Sequence, residues 1–307
     1  MNNTGTKSSA ISERLLGLAR NEGLRIDPRS VSIDDSGWDF HVLRGKDFDD
    51  LEWIVRVPKR DSMASRIQAE RKLLSLVNGK LPAAVPEWRI CTGQVIAYPC
   101  LTGDPAAQDT GGGILRWSID KENPPASYTD SLGACMAALH AVPVKDAKLT
   151  GIPYSDPENL RDALKTKLDR AVSEIGMHPS WVERCQRWLD NEALWPDRTV
   201  LIHGDMHPGH ALVNEVGTIT GVLDWTDAEI GDPGQEFIEA CRKFPPHVLD
   251  EVLTAYQRSG GKIWPGLRSH ISEGIAFAPM FLGVLGLDSD QPTYVDRARI
   301  ALSSPTR

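Results

Sequence analysis

The segment His203-Gly204-Asp205-Met206-His207-Pro208-Gly209-His210, followed by Val222-Leu223-Asp224-Trp225, constrains this chain more than any other. An apolar run at 199–202 feeds the first segment, which is rich in turn formers, so Asp205 belongs in a loop at the end of a strand. The stretches 211–214 and 218–223, separated by Glu215-Val216-Gly217, read as a β-hairpin. A hairpin joins its own ends, which sets Asp224 beside His210. One loop and one hairpin thereby gather two carboxylates and an imidazole. A Mg²⁺-dependent phosphoryl transfer needs such a set: one carboxylate to orient a hydroxyl nucleophile, another to hold metal.

The spacing fits that chemistry. In protein kinases the loop Asp precedes a metal-binding Asn by five residues, and a second Asp follows a hairpin. Asp205 and His210 are likewise five apart. A plain turn also uses Asp and Gly, but it does not need three His within eight residues. Asp205 is therefore the candidate catalytic base, and Asp224 the candidate metal ligand. An imidazole at His210 can also bind a divalent ion, although Mg²⁺ favours oxygen and the exchange tilts the site towards softer ions. His203 and His207 read as structural, holding the loop through backbone hydrogen bonds.

With 307 residues, 41% hydrophobic and 25% charged, the chain has room for two lobes. No run approaches the ~18 apolar residues of a spanning helix. The opening Met1 to Ser9 lacks the apolar core of a secretory signal, so a cytoplasmic protein away from membranes is expected. Five scattered Cys without a CxxC pair fit no closed disulfide framework. A net charge of −8 disfavours nucleic acid as a partner and is compatible with a cationic small substrate.

Along the chain, 9–21 reads as an amphipathic helix, and 31–34, 38–43 and 53–57 read as strands. A helix at 62–77, with Asp61 as its N-cap, precedes two further strands at 87–91 and 94–98. Pro99-Cys100-Leu101-Thr102-Gly103-Asp104-Pro105 breaks the pattern and reads as a hinge between an N-lobe, 1–101, and a C-lobe, 102–307. Beyond it the chain turns helical. Leu132, Cys135, Met136 and Leu139 repeat at helical spacing, with further helices expected at 159–172, 181–189, 247–257, 267–285 and 293–302. Gly111-Gly112-Gly113 follows no strand and lacks a P-loop Lys, so it reads as a surface turn. Asp232-Pro233 reads as a helix start, with Asp as N-cap and Pro at the first position.

The motifs HGDMHPGH and LDW resemble those of the aminoglycoside-phosphotransferase family, which has the protein-kinase-like fold. His210, where most relatives carry Asn, together with the run DWTDAEIGDP, resembles the macrolide 2′-phosphotransferases. The likeness is firmest from Val200 to Phe237. It implies an α+β fold of two lobes, a small β-rich one that binds nucleotide and a larger, mainly helical one. It implies that His210 takes the Asn role, that Asp224 bridges metal and phosphates, and that Asp232 braces the metal loop. It places Arg56 where kinases carry a strand Lys, with Glu70 as its helix partner. A guanidinium is a permanent cation suited to phosphate. The likeness also assigns 32–38 as a phosphate flap, although that stretch has one Gly and two acids. Ile33, Ile54 and Leu212 would wall the base pocket, with the backbone of Tyr98 to Cys100 as hydrogen-bond partner.

The stretch 267–285, with a kink expected at Pro279, is apolar over more than one face. Phe277, Met280 and Phe281 would line a groove for a large apolar substrate. The resulting expectation is a monomeric kinase acting on a macrolide amino sugar, with GTP or ATP as donor and Mg²⁺ as cofactor. An aminoglycoside or metabolite-alcohol kinase of the same fold is the alternative. A metallohydrolase built on His203, Asp205, His207 and His210 would leave Arg56 and Glu70 without a purpose. A non-catalytic member of the fold is disfavoured by the presence of both Asp205 and Asp224.

Overall fold

The computed structural model of the chain describes residues 3–35, 37, 39–110 and 114–306. Helix α1 (Asn3–Asn21) leads to strands β1 (Ser32–Asp34), β2 (Phe40–Lys46) and β3 (Glu52–Pro58), then helix α2 (Ala64–Val77), then β4 (Ile90–Cys91) and β5 (Ile96–Pro99). The strands form one antiparallel sheet in the order β1-β2-β3-β5-β4. Alternation along β3 separates its faces. Trp53, Val55 and Val57 pack with Leu15 and Ala19 of α1, whereas Ile54 packs with Phe40, Ile67, Ile96 and Tyr98 on the opposite face.

Several boundaries differ from the sequence expectation, among them the strand expected at 87–91, which is only Ile90–Cys91. Strand β2 runs on to Lys46, because Arg44 forms a bidentate pair with Glu52 of β3, at 2.7 and 2.8 Å. Helix α2 enters through a 3₁₀ turn at Asp61–Met63, which puts Met63 at the cap position where Asp61 is expected from sequence. In the flap at 32–38, Ser36 and Trp38 lie outside the described residues, as does the Gly111–Gly113 run.

The hinge is shorter than 99–105, because β6 (Asp104–Pro105) pairs with β10 (Ala211–Val213) of the second half, with Pro105 opposite Leu212. After β7 (Ala107–Asp109) and β8 (Leu115–Trp117) come helices α3 (Ala126–His140), α4 (Val144–Lys148), α5 (Leu160–Arg170) and α6 (Pro179–Asp190). Strand β9 (Val200–Ile202), the hairpin of β10 and β11 (Ile219–Val222), and β12 (Glu229–Gly231) follow. The chain then closes with α7 (Pro233–Cys241), α8 (Pro246–Arg258), α9 (Leu267–Ala276), α10 (Ala278–Asp288) and α11 (Pro292–Leu302). The larger core packs Tyr128, Met136, Trp225, Phe237 and Tyr256 around α3 and α8. A second core gathers Leu164, Leu168, Trp188, Phe277 and Met280 beneath α10.

The stretch 267–285 is two helices bent by 56°. Pro279 falls in the first turn of α10, where a missing N–H costs nothing, and the backbone breaks at Phe277. Among the described residues no single helix is long and apolar enough to cross a membrane.

Candidate active site

Strand β9 delivers His203, Gly204 and Asp205 to the end of a short antiparallel pair with β12. His203 is fully buried, and its two nitrogens hold the loop. Nε2–H donates to the Leu223 carbonyl at 2.8 Å, and Nδ1 accepts from Asp205 N at 3.3 Å. Burial keeps this imidazole neutral, its pKa pushed down to about 3. Gly204 has φ +81°, and a Cβ there would stand 2.3 Å from the Asp227 carbonyl oxygen, so glycine is required. Glu236 of α7, fully buried, accepts from His203 N at 3.0 Å and from Gly204 N at 3.1 Å. Burial raises its pKa to about 7 against the pull of those two bonds.

Asp205 projects from this frame with about a third of its side chain exposed. Burial lifts its pKa to about 7; His210 pulls it back, and Glu239, Asp227 and Asp224 push further up. A carboxyl group poised near neutrality suits a general base. The hairpin brings the other end of the site in, since Leu223 N donates to the His210 carbonyl at 2.8 Å. Asp224, the next residue, adopts φ +55°, a left-handed conformation that Asp tolerates better than most residues.

Two side chains reach Asp224, Arg56 and Thr226. Arg56 of β3, with 5% of its surface exposed, donates to Glu70 of α2 at 3.0 Å and to the Thr226 hydroxyl at 3.2 Å, and lies 4.0 Å over the Phe40 ring. Its Nη2 is 3.7 Å from Asp224 Oδ1, and the Thr226 hydroxyl donates to that same oxygen at 2.8 Å. Burial alone would raise the Asp224 pKa, but Arg56 and its other partners hold it down to about 2, so the group is an anion. Arg66 of α2 adds a second tie between the halves, to Asp227 at 2.9 Å and to the Thr226 carbonyl at 3.1 Å.

The donor atoms of Asp205, His207 and His210 lie within 4.8 Å of one another, the geometry of a metal cluster. The tautomers argue against His207 as a ligand. Its Nδ1 accepts from Gly209 N at 2.9 Å, so the neutral ring carries its proton on Nε2 and turns an N–H, not a lone pair, towards Asp205. His210 is the reverse case. Its Nδ1–H donates to the Asp205 carbonyl at 2.9 Å, which leaves Nε2 with a free lone pair. The hairpin brings this lone pair and the Asp224 anion to the same end of the site, two groups able to hold a divalent ion. His207 stacks on His210 at 4.0 Å between centroids and fixes that ring.

Two sequence expectations for the nucleotide face, at Ile33 and Cys100, need correction. Ile33 pairs with Leu43, which pairs with Val55, so Ile33 faces α1 and cannot share a pocket wall with Ile54. Val42, which pairs with Arg56, lies on the Ile54 face instead. Cys100 N–H is bonded to the Glu52 carbonyl at 2.8 Å and is not free for a base. Tyr98 is on the Ile54 face and buried, while Leu212 meets Leu101 over Gly221, whose added Cβ would be 3.2 and 3.1 Å from their methyls. Asp232 caps α7, accepting from Gly234 N at 2.8 Å, and receives His270 Nε2–H at 2.6 Å; the brace on the loop is Glu236.

A cleft of about 380 Å³ opens between α5, α10 and the start of α7. Trp188, Trp195 and Phe281 form its apolar walls, and Glu229, Asp232 and Glu239 its acidic side. Phe277 and Met280 do not reach it. Both are fully buried, with Phe277 stacked on Trp188 at 5.7 Å and edge-on to Trp181 at 5.3 Å. Broad apolarity of the stretch could not distinguish core from groove. Sequence reasoning missed Trp188, Trp195, Glu236, Thr226 and Arg66 because their places in the site come from tertiary packing and leave no local pattern. Only the run DWTDAEIGDP pointed near Thr226.

Residues 30–270 match the model of the phosphotransferase enzyme family. The uncharacterized protein YcbJ of Bacillus subtilis (strain 168) is 33% identical over 300 residues, 97% of this chain and 98% of that protein. The crystal structure of the macrolide 2′-phosphotransferase MphH from Brachybacterium faecium, apoenzyme, superposes with TM-score 0.87 and 35% identity, covering 96% of this chain and 98% of that one. A macrolide 2′-phosphotransferase type I superposes with TM-score 0.86 and 29% identity, covering 96% and 97%.

Proposed function

This chain belongs to the phosphotransferase enzyme family, and we propose that within it the protein transfers the γ-phosphate of GTP or ATP to the 2′-hydroxyl of a macrolide amino sugar. The observation that carries the proposal is the cleft. Its aromatic walls suit a large apolar ring, its acids suit a protonated amine, and Glu239 on its rim also raises the Asp205 pKa through space. The likeness to macrolide 2′-phosphotransferases at 35% and 29% identity supports the same acceptor.

Asp205 is the base in this reading. It accepts a hydrogen bond from the acceptor hydroxyl and takes the proton late in a loose transition state. Arg56, fixed by Glu70 and Thr226, presents a cation to the donor phosphates, while Ile54, Tyr98 and Leu212 border the base. Asp224 and His210 would hold Mg²⁺, which supplies charge neutralisation on the phosphates when bound. The hinge divides an N-lobe ending near Leu101 from the C-lobe, and the protein acts as a cytoplasmic monomer without nucleic-acid partners.

A coupled assay tests the proposal directly, with GTP and ATP each offered against macrolide and aminoglycoside acceptors. The expected result is turnover with macrolides and one phosphate on the 2′-oxygen by NMR. Turnover restricted to aminoglycosides would favour the alternative acceptor class.

A further inference from the structure

Glu229 lies on β12 directly opposite Ile202 of β9, three residues before Asp205. The sheet register therefore ties a second carboxylate to the candidate base at a fixed spacing. Glu229 lines the cleft, and so does the Phe281 ring. The exposed Lys167 of α5 places its ammonium 5.5 Å from the centroid of that ring. The same ammonium acts through space on Glu229, whose carboxyl is pushed up by burial and pulled back by Lys167.

The other cleft acids are already engaged. Asp232 holds Gly234 N and His270, Glu239 pairs with Arg242 at 2.8 Å, and Asp288 pairs with Arg170 at 2.8 Å. Among the described residues, neither Glu229 nor Lys167 closes a side-chain hydrogen bond or ion pair. A carboxylate and an aromatic face thus stand in one cleft, answered only by a loosely held cation on a flexible stem. An aromatic face attracts a cation through its quadrupole, and methylated ammonium groups, weakly hydrated, gain most from such a site. A lysine can withdraw its head to water with little loss.

We propose that Glu229 and the Phe281 ring form a subsite for the methylated ammonium group of the acceptor, which Lys167 fills in the empty protein and vacates on binding. The proposal deepens the acceptor reading above and rests on it. Glu229 is paired to the strand that leads into the Asp205 loop, so an amine held there carries its sugar towards the candidate base. The ligand class is a vicinal amino alcohol with a tertiary amine.

The test is acceptor binding without nucleotide, followed by the fluorescence of Trp188 and Trp195 in the cleft wall. The probes are a macrolide carrying a 3′-dimethylamino sugar and its N-oxide, which is neutral at pH 7.5. Wild type should bind the amine about tenfold tighter than the N-oxide, the worth of one desolvated cation contact. Glu229→Gln should bring that ratio to within about twofold without changing the N-oxide Kd. Lys167→Met, at an exposed position that tolerates change, should tighten the amine by roughly threefold to tenfold, because the competing cation is gone. If wild type binds both probes and the ratio survives in Glu229→Gln while Lys167→Met changes nothing, the subsite is overturned and the acceptor reading stands. Should wild type bind neither probe, both fall together.

Discussion

Glu236 carries a burden that a pH titration can isolate. Its carboxyl is fully buried, accepts two backbone N–H groups from the catalytic loop, and has its pKa raised to about 7 from an ordinary 4.5. Below pH ~4.5 both folded and unfolded chains hold the proton, and nothing is lost. Between there and about 7 the unfolded chain ionises while the native one keeps its proton, so stability falls as pH rises. The slope is about 1.4 kcal/mol per pH unit, and over this window the total is about 3 kcal/mol. Glu236→Gln removes that slope and keeps one oxygen for the two N–H groups. In urea titrations from pH 4.5 to 8.5, the difference between Gln variant and wild type should move in favour of Gln with rising pH and level off above about 7.5. Glu236→Ala serves as the contrast. It orphans two buried donors at ~1–3 kcal/mol each, at every pH, and lets the loop that carries Asp205 relax, so kcat should fall as well. A Gln-minus-wild-type difference that stays flat with pH would refute the argument that burial dominates at this carboxyl.

Asp205→Ala should lower kcat by ~10² to 10⁴ with the nucleotide KM nearly unchanged, as measured by steady-state kinetics, and a loss under about tenfold would remove it from the base role. Asp224→Asn should abolish productive donor binding at ordinary Mg²⁺ concentrations, checked by calorimetry with nucleotide and metal. Phe281→Ala should raise the acceptor KM and leave that of the nucleotide alone, whereas Phe277→Ala should cost ~3–5 kcal/mol in thermal or urea unfolding because it empties a packed core position. Arg56→Lys keeps the charge but loses the fork that joins Glu70 to Thr226, so donor KM should rise and the protein should unfold at lower urea.

The loop and hairpin were legible because their chemistry is local. Asp205, His210 and Asp224 are held by a turn and a two-strand ladder whose signals are turn residues and alternation, both short-range. The same alternation, applied across strands, would have required the register to see that Ile33 and Ile54 face opposite sides. Register is set by pairing with β2, at Ile33 with Leu43, and by the core over α1, which is long-range information. Phe277, Met280 and Phe281 failed to separate for a related reason. By spacing, positions 277, 280 and 281 share one helix face, so periodicity alone gives all three one environment; which of them meets the cleft depends on the break at Phe277 and on where α5 and α6 pack. Glu236 was invisible as a brace because its partners are backbone amides 32 and 33 residues away, which leave no side-chain signature.

The departures at positions 56 and 210 make physical sense together. A guanidinium at 56 reaches Glu70, the Thr226 hydroxyl and the face of Phe40 at once, which a lysine ammonium on a thinner stem cannot do. Its nearness to Asp224 holds that carboxylate in the charged form even though burial opposes it. Arg56 thereby keeps the proposed metal-binding carboxylate charged. At His210 the imidazole Nδ1–H is consumed by the Asp205 carbonyl, so the ring proposed to hold metal through Nε2 also holds the backbone of the proposed base. In the proposed function, metal ligand and base are thus coupled through one imidazole, and a change at either is expected to be felt at the other.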